Sequence, residues 1–177
     1  MPRSPPPDSS VVVIDGNPQP GSRTATVGRL LGERLAGLAG IDADRVEVIA
    51  VSSLGSGLLG WGDESVARAK QLVLGATLVV VATPTYKATY TGLLKLFLDQ
   101  FAAGELVDVR AVVPLMTGAA PGHSLAVDVH LRPVLVEIGA RIPTAGLYIW
   151  GDQIDEPDAV LDAWIDTEAE VIRRQLR

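Results

Sequence analysis

Hydrophobic residues in this chain fall into two alternating kinds of segment: short continuous apolar runs, and longer stretches with apolar positions every three or four residues. The first run, VVVID at 11–15, is closed by Gly16 and has the pattern of a strand buried on both faces. From Thr24, the residues Val27, Leu30, Leu31, Leu35 and Leu38 share one helical face, and Gly40 is placed to end that helix. RVEVIAV at 45–51 alternates before turning fully apolar, which predicts a second strand nearer a sheet edge. Asp63 can cap a helix that turns Val66, Ala69, Leu72 and Val73 inward and ends at Gly75. A third strand, TLVVVA at 77–82, leads through the loop TPTYKATYTG to a helix at 93–101 with Leu94, Phe97, Leu98 and Phe101 on one stripe. RAVVPLM at 110–116 predicts the fourth strand, and a long helix follows residues 117–122 and runs to about Gly139. A fifth strand is expected near 144–150, and Pro157 suits the first turn of a last helix ending at Arg174.

Five apolar strands alternating with five helices specify a parallel sheet covered on both faces. At this length the expected strand order is 2-1-3-4-5, the flavodoxin-like three-layer α/β sandwich. Ligands of such sheets bind beyond the carboxyl ends of the strands, at the switch point between strands 1 and 3. Three loops therefore carry the functional question: 16–26, 83–91 and 117–122.

Composition removes several chemistries. With no cysteine among 177 residues, disulfides, thiolate metal sites and thiol nucleophiles are excluded together. A net charge of −6 without a Lys/Arg block argues against nucleic acid, whose phosphates demand clustered positive charge. The longest apolar run, 78–82, is strand-sized and far short of a membrane span, so a cytoplasmic protein with no membrane contact is expected. MPRSPPPDSS carries four prolines in seven residues and no signal-like apolar stretch, and residues 1–10 are expected as a disordered tail. His123 and His130, the only histidines, do not supply the ligands a metal site needs, and no nucleophile–base pair or carboxylate dyad appears.

The first loop, GNPQPGSRTAT, joins a buried strand to a helix and offers Asn17, Gln19, Ser22, Arg23, Thr24 and Thr26. Backbone N–H groups at a helix start attract an anion, and hydroxyls with a guanidinium add donors for a phosphate monoester. The same residues also suit a plain helix cap with a solvated arginine. Gly16 and Gly21 are spaced as in a P-loop, but Ser22-Arg23-Thr24 lacks its lysine, so an NTPase is disfavoured. The dinucleotide pattern G-x-G-x-x-G is missing, and the third strand ends Ala82-Thr83-Pro84 where a receiver domain needs an aspartate. A mononucleotide with one terminal phosphate, such as FMN, survives these eliminations. Its ring would lie across Pro84, Thr85 and Tyr86 of the second loop and Thr117, Gly118 and Ala119 of the third, where small residues allow close approach of N–H groups. Tyr86 and Tyr90 also suit ordinary loop packing.

At these residues the chain resembles the NAD(P)H-dependent FMN reductases of the flavodoxin-like proteins, most of all the flavin reductases of two-component alkanesulfonate and methanesulfonate monooxygenase systems. The resemblance spans roughly 11–149, and its most specific parts are VATPTYKATYTGLLKLFLD at 81–99 and PLMTGAAPGHSLAVDVHLRPVL at 114–135. It implies a phosphate loop at Ser22, Arg23, Thr24 and Thr26, with Asn17 where serine is usual and Gln19 where arginine often stands. It implies ring-binding loops at Pro84, Thr85 and Tyr86 and at Thr117, Gly118 and Ala119. The implied activity is hydride transfer from NADPH or NADH to FMN, with reduced flavin handed to a separate monooxygenase by a homodimer or homotetramer built from residues 11–177. Two alternatives use the same fold: a reductase of quinones or azo dyes that retains its FMN, and a non-enzymatic electron carrier.

Pro133 lies inside the expected 124–139 helix, where it removes an N–H, leaves the Val129 carbonyl unpaired and predicts a kink. In the sulfonate-type reductases that the chain resembles, this helix packs at the subunit interface, and some carry a tyrosine in a π-bulge where Val129 stands. Trp61, Trp150 and Trp164 are expected as packing residues. The eight acids between Gly151 and Glu170 are expected as a solvated face, with Arg173, Arg174 and Arg177 complementing the helix dipole.

Overall fold

The structure is a computed structural model that describes residues 10–177. Of the tail expected at 1–10, all but Ser10 lies outside the described residues, and the Ser10 carbonyl accepts N–H bonds from Thr77 and Leu78. Five parallel strands, β1 (Val11–Asp15), β2 (Val46–Ala50), β3 (Leu78–Pro84), β4 (Ala111–Gly118) and β5 (Leu147–Trp150), form one sheet in the order β2-β1-β3-β4-β5. The flavodoxin-like arrangement expected from the sequence is the one observed. Every residue of β1 and β3 is buried, as a strand with helices on both faces requires.

Two apolar layers flank the sheet. On one side α1 (Arg23–Ala39) and α5 (Asp158–Leu176) pack Val27, Leu31, Leu35, Leu161 and Ile172 against Val11, Val13 and Val80. On the other, α2 (Glu64–Gly75), α3 (Gly92–Leu98) and α4 (Arg132–Glu137) cover Val12, Ile14, Val79 and Val81 with Val73, Phe97 and Leu135. Local signals act where expected. Ser22 Oγ accepts the Ala25 N–H at 3.1 Å to start α1, Gly40 at φ 71° ends it, and Asp63 accepts the N–H groups of Ser65 and Val66 at α2.

Four expectations need correction. Leu72 is 42% exposed, because α2 buries only the narrower stripe of Val66, Ala69 and Val73. Trp61, expected as a packing residue, is 77% exposed in the turn before α2, where no packed layer reaches it. The single helix over 124–139 is instead a π-helical turn, Val127–Leu131, followed by α4, and the Arg132 N–H reaches back to the Val127 carbonyl. The break thus precedes Pro133, which falls in the first turn of α4, where a missing N–H costs little. The acidic run is also not merely solvated. Arg34 of α1 bonds Asp158 at 2.6 Å and Asp162 at 2.7 Å, clamping α5 onto α1.

Candidate functional site

The loops after β1, β3 and β4 meet beyond the carboxyl edge of the sheet, astride the switch point where β1 neighbours both β2 and β3. Hydrogen bonds fasten them together. Thr24 and Thr117 hydroxyls share a buried bond of 2.7 Å, which ties the first loop to the third. Thr91 Oγ1 donates to the Gly16 carbonyl at 2.6 Å, tying the second loop to the first, and the Thr85 N–H donates to the Thr117 carbonyl at 2.7 Å. Asn17 Nδ2 donates to Thr24 Oγ1 at 3.3 Å, while its Oδ1 accepts the Gln19 N–H at 2.9 Å and shapes the turn.

The expected residues therefore divide by exposure. Asn17, Ser22, Thr24, Pro84 and Thr117 are buried in the floor, whereas Gln19, Arg23, Thr26, Tyr86 and Ala119 are exposed at the rim. Thr24 and Thr117 spend their hydroxyls on each other and serve as a tie. Thr26 turns its hydroxyl back to the Ser22 carbonyl at 3.4 Å. Arg23, expected as an anion donor, makes a two-oxygen contact to Asp155 at 3.1 and 3.2 Å, with both side chains well exposed. Thr85 Oγ1 is buried without a partner, a free polar group in the floor. Gly118 leaves no room for a side chain, since a Cβ there would lie 1.9 Å from Tyr148 Oη, whose proton goes to the Ala120 carbonyl.

The second loop carries backbone strain. Tyr86 and Thr89 bridge as a two-residue hairpin with Lys87 at φ 51° and Ala88 at φ 67°, the left-handed pair of a type I′ turn normally filled by Asn-Gly. It holds the half-exposed Tyr86 at the rim. Four site residues were missed by sequence reasoning. Thr91 was visible as an N-cap before an apolar run, whereas Thr83, whose hydroxyl accepts the Thr91 N–H at 3.2 Å, and Tyr148 gave no signal of their own. Asp15 was read only as a strand end, although it is 1% exposed with Oδ1 on the Asn17 N–H at 3.1 Å and Oδ2 unpartnered. Burial pushes its carboxyl up from 3.8 to about 6, against the opposing pull of the Asn17 amide.

Such a floor of small residues and hydroxyls beside a helix start suits an anionic, flat ligand. Among the described residues no group of three His, Asp or Glu side chains is placed to hold a metal ion. A family model described as NADPH-dependent FMN reductase matches residues 9–155.

The chain belongs to the NADPH-dependent FMN reductase family. An FMN reductase (NADPH) of Pseudomonas putida KT2440 is 38% identical over 85 residues, covering 48% of this chain and 43% of that protein, so this match spans less than half of the relative. The NADH-dependent FMN reductase SfnF of Pseudomonas putida is 32% identical over 152 residues, covering 82% of this chain and 80% of SfnF. Among solved structures, the apo form of the NADH:FMN oxidoreductase EmoB superposes with a TM-score of 0.82 at 29% identity, over 96% of this chain and 90% of that one. This member of the family is an oxidoreductase of the NAD(P)H- and FMN-using kind. Among the described residues no helix is long and apolar enough to cross a membrane.

Proposed function

We propose that this reductase transfers hydride from NADH or NADPH to FMN in the cytoplasm and releases the reduced flavin to a separate flavin-dependent monooxygenase. The observation that carries the reading is the three-loop floor at the β1/β3 switch point, held by the Thr24–Thr117 and Thr91–Gly16 bonds. Ser22, Arg23 and Thr26, with Asn17 and Gln19, would hold the flavin phosphate, Thr24 contributing its backbone N–H. Pro84, Thr85 and Tyr86 would frame one side of the ring and Thr117, Gly118 and Ala119 the other. The unpartnered Thr85 hydroxyl fits a ligand polar edge, and the helix start fits a phosphate. Bound FMN supplies the redox chemistry, and the protein's part is to bind, orient and exclude water.

Arg23 would leave Asp155 for the phosphate. An exposed ion pair is worth about 0–1 kcal/mol, so the exchange costs little. An exposed apolar row from just before the π turn into α4, Leu125, Val129 and Val136, supports a homodimer or homotetramer. The test is direct. Purified protein is expected to lack flavin absorbance near about 450 nm and to oxidise NADH or NADPH only when FMN is added. Flavin that survives gel filtration would instead make FMN a retained group serving quinones or azo dyes. No oxidation with any acceptor, together with a stable blue semiquinone, would make the protein an electron carrier.

A further inference from the structure

We propose that Asp15 weakens the hold on the flavin phosphate at neutral pH, so that FMN binding is coupled to uptake of a proton by this carboxyl. The inference rests on the FMN-binding reading above and concerns how tightly that ligand is held.

The geometry is specific. Asp15 ends β1 at the root of the first loop, in register with Ala50 of β2 and Ala82 of β3. Strand alternation from Val11 and Val13, both in the α1-side layer, directs its side chain to the face that carries the start of α1. One carboxylate oxygen accepts the Asn17 N–H at 3.1 Å, and Asn17 in turn accepts the Gln19 N–H, so the carboxylate sits two hydrogen bonds from the loop's turn. The other oxygen is buried without a partner.

Among the described residues, the elements packed around Asp15 offer it no counter-charge. β2 and β3 present alanines, and α1 presents Thr24, Val27 and Gly28 on its buried face. Arg23 turns to Asp155 and Arg29 to Glu33. Desolvation and one backbone amide are what set its ionisation. A buried charge of this kind and a dianionic phosphate held at the start of α1 would repel through a low-dielectric layer, an effect worth about tenfold or more in affinity. Protonation removes the repulsion, and ligand binding draws a proton onto the carboxyl. A reductase that hands flavin on profits from such a weakened grip.

The experiment titrates FMN into wild-type protein and the Asp15→Asn variant by flavin fluorescence between pH 5 and pH 8. The variant is expected to bind FMN about tenfold tighter at pH 8 and nearly equally at pH 5, while riboflavin, which lacks the phosphate, shows no such difference. The phosphate's own titration is common to both proteins and cancels in the ratio. Calorimetry of wild-type protein at pH 7 in two buffers of different ionisation enthalpy covers the case of a variant that does not fold. Net proton uptake is expected, whereas a phosphate bound as its dianion releases protons. A pH-independent affinity ratio overturns the proposal and leaves the FMN reading standing, as does proton release by wild type where the variant cannot be made. Failure of wild type to bind FMN at any pH overturns both.

Discussion

Ionised Asp15 is a cost that the folded chain carries even without ligand, and its size follows from the structure. The carboxyl is 1% exposed and its ordinary value of 3.8 is raised to about 6. Because the folded value lies above the unfolded one, the native state binds the proton more tightly, and stability falls as pH rises through this window. Below about pH 4 both states are protonated and nothing is lost. Well above about pH 6 both are ionised, and a rise from 3.8 to about 6 amounts to about 3 kcal/mol. About half of that is already present at pH 5. Urea unfolding of wild type and Asp15→Asn, followed by circular dichroism, isolates the effect, since every other titrating group is common to both. The stability difference, variant minus wild type, is expected to rise on the order of 1 kcal/mol between pH 5 and pH 8. A difference that stays level across that range would show that the carboxylate finds a counter-charge or water and that burial does not set its ionisation.

The remaining predictions concern the loops. Arg23→Ala is expected to weaken FMN binding by about 1.5–3 kcal/mol, read by fluorescence titration, while leaving thermal stability nearly unchanged because its pair with Asp155 is exposed. Gly118→Ala is expected to destabilise by about 1–3 kcal/mol, and Tyr148→Phe, which removes the clashing oxygen, should recover part of that loss in denaturant unfolding. Thr24→Val or Thr117→Val alone strands a buried hydroxyl and should cost about 1–3 kcal/mol, whereas the double variant should lose less than the sum. Ala88→Gly relieves a left-handed residue in the 86–89 turn and should raise the melting temperature slightly, by about 1 kcal/mol of stability at most.

The layer order was legible because it depends on period. The runs 11–15 and 78–82 can be buried only as central strands, and the 3.6-residue stripe after Thr24 can be only a helix. The caps Ser22 and Asp63 were legible as local chemistry. What failed depended on distant partners. No local pattern says that Arg34 reaches α5, that Arg23 finds Asp155, or that Trp61 has no layer above it. The helix after β4 misled because an apolar stripe does not distinguish an α register from a π turn when one carbonyl is skipped. The three loops were located by topology, but the bonds that join them, Thr24 to Thr117 and Thr91 to Gly16, cross 93 and 75 residues of chain.

That long-range hydroxyl pair also bears on how this loop system can change over generations. Positions 24 and 117 are joined side chain to side chain in a buried place, so a single replacement strands a polar atom, and a second at the other position relieves part of that cost, Asn17 Nδ2 also depending on Thr24. Lys87 and Ala88 bond to no side chain beneath them and sit at a turn tip that Asn-Gly would fill more comfortably. Related sequences should therefore change at 24 and 117 together, with position 17, whose amide also bonds Thr24, following them.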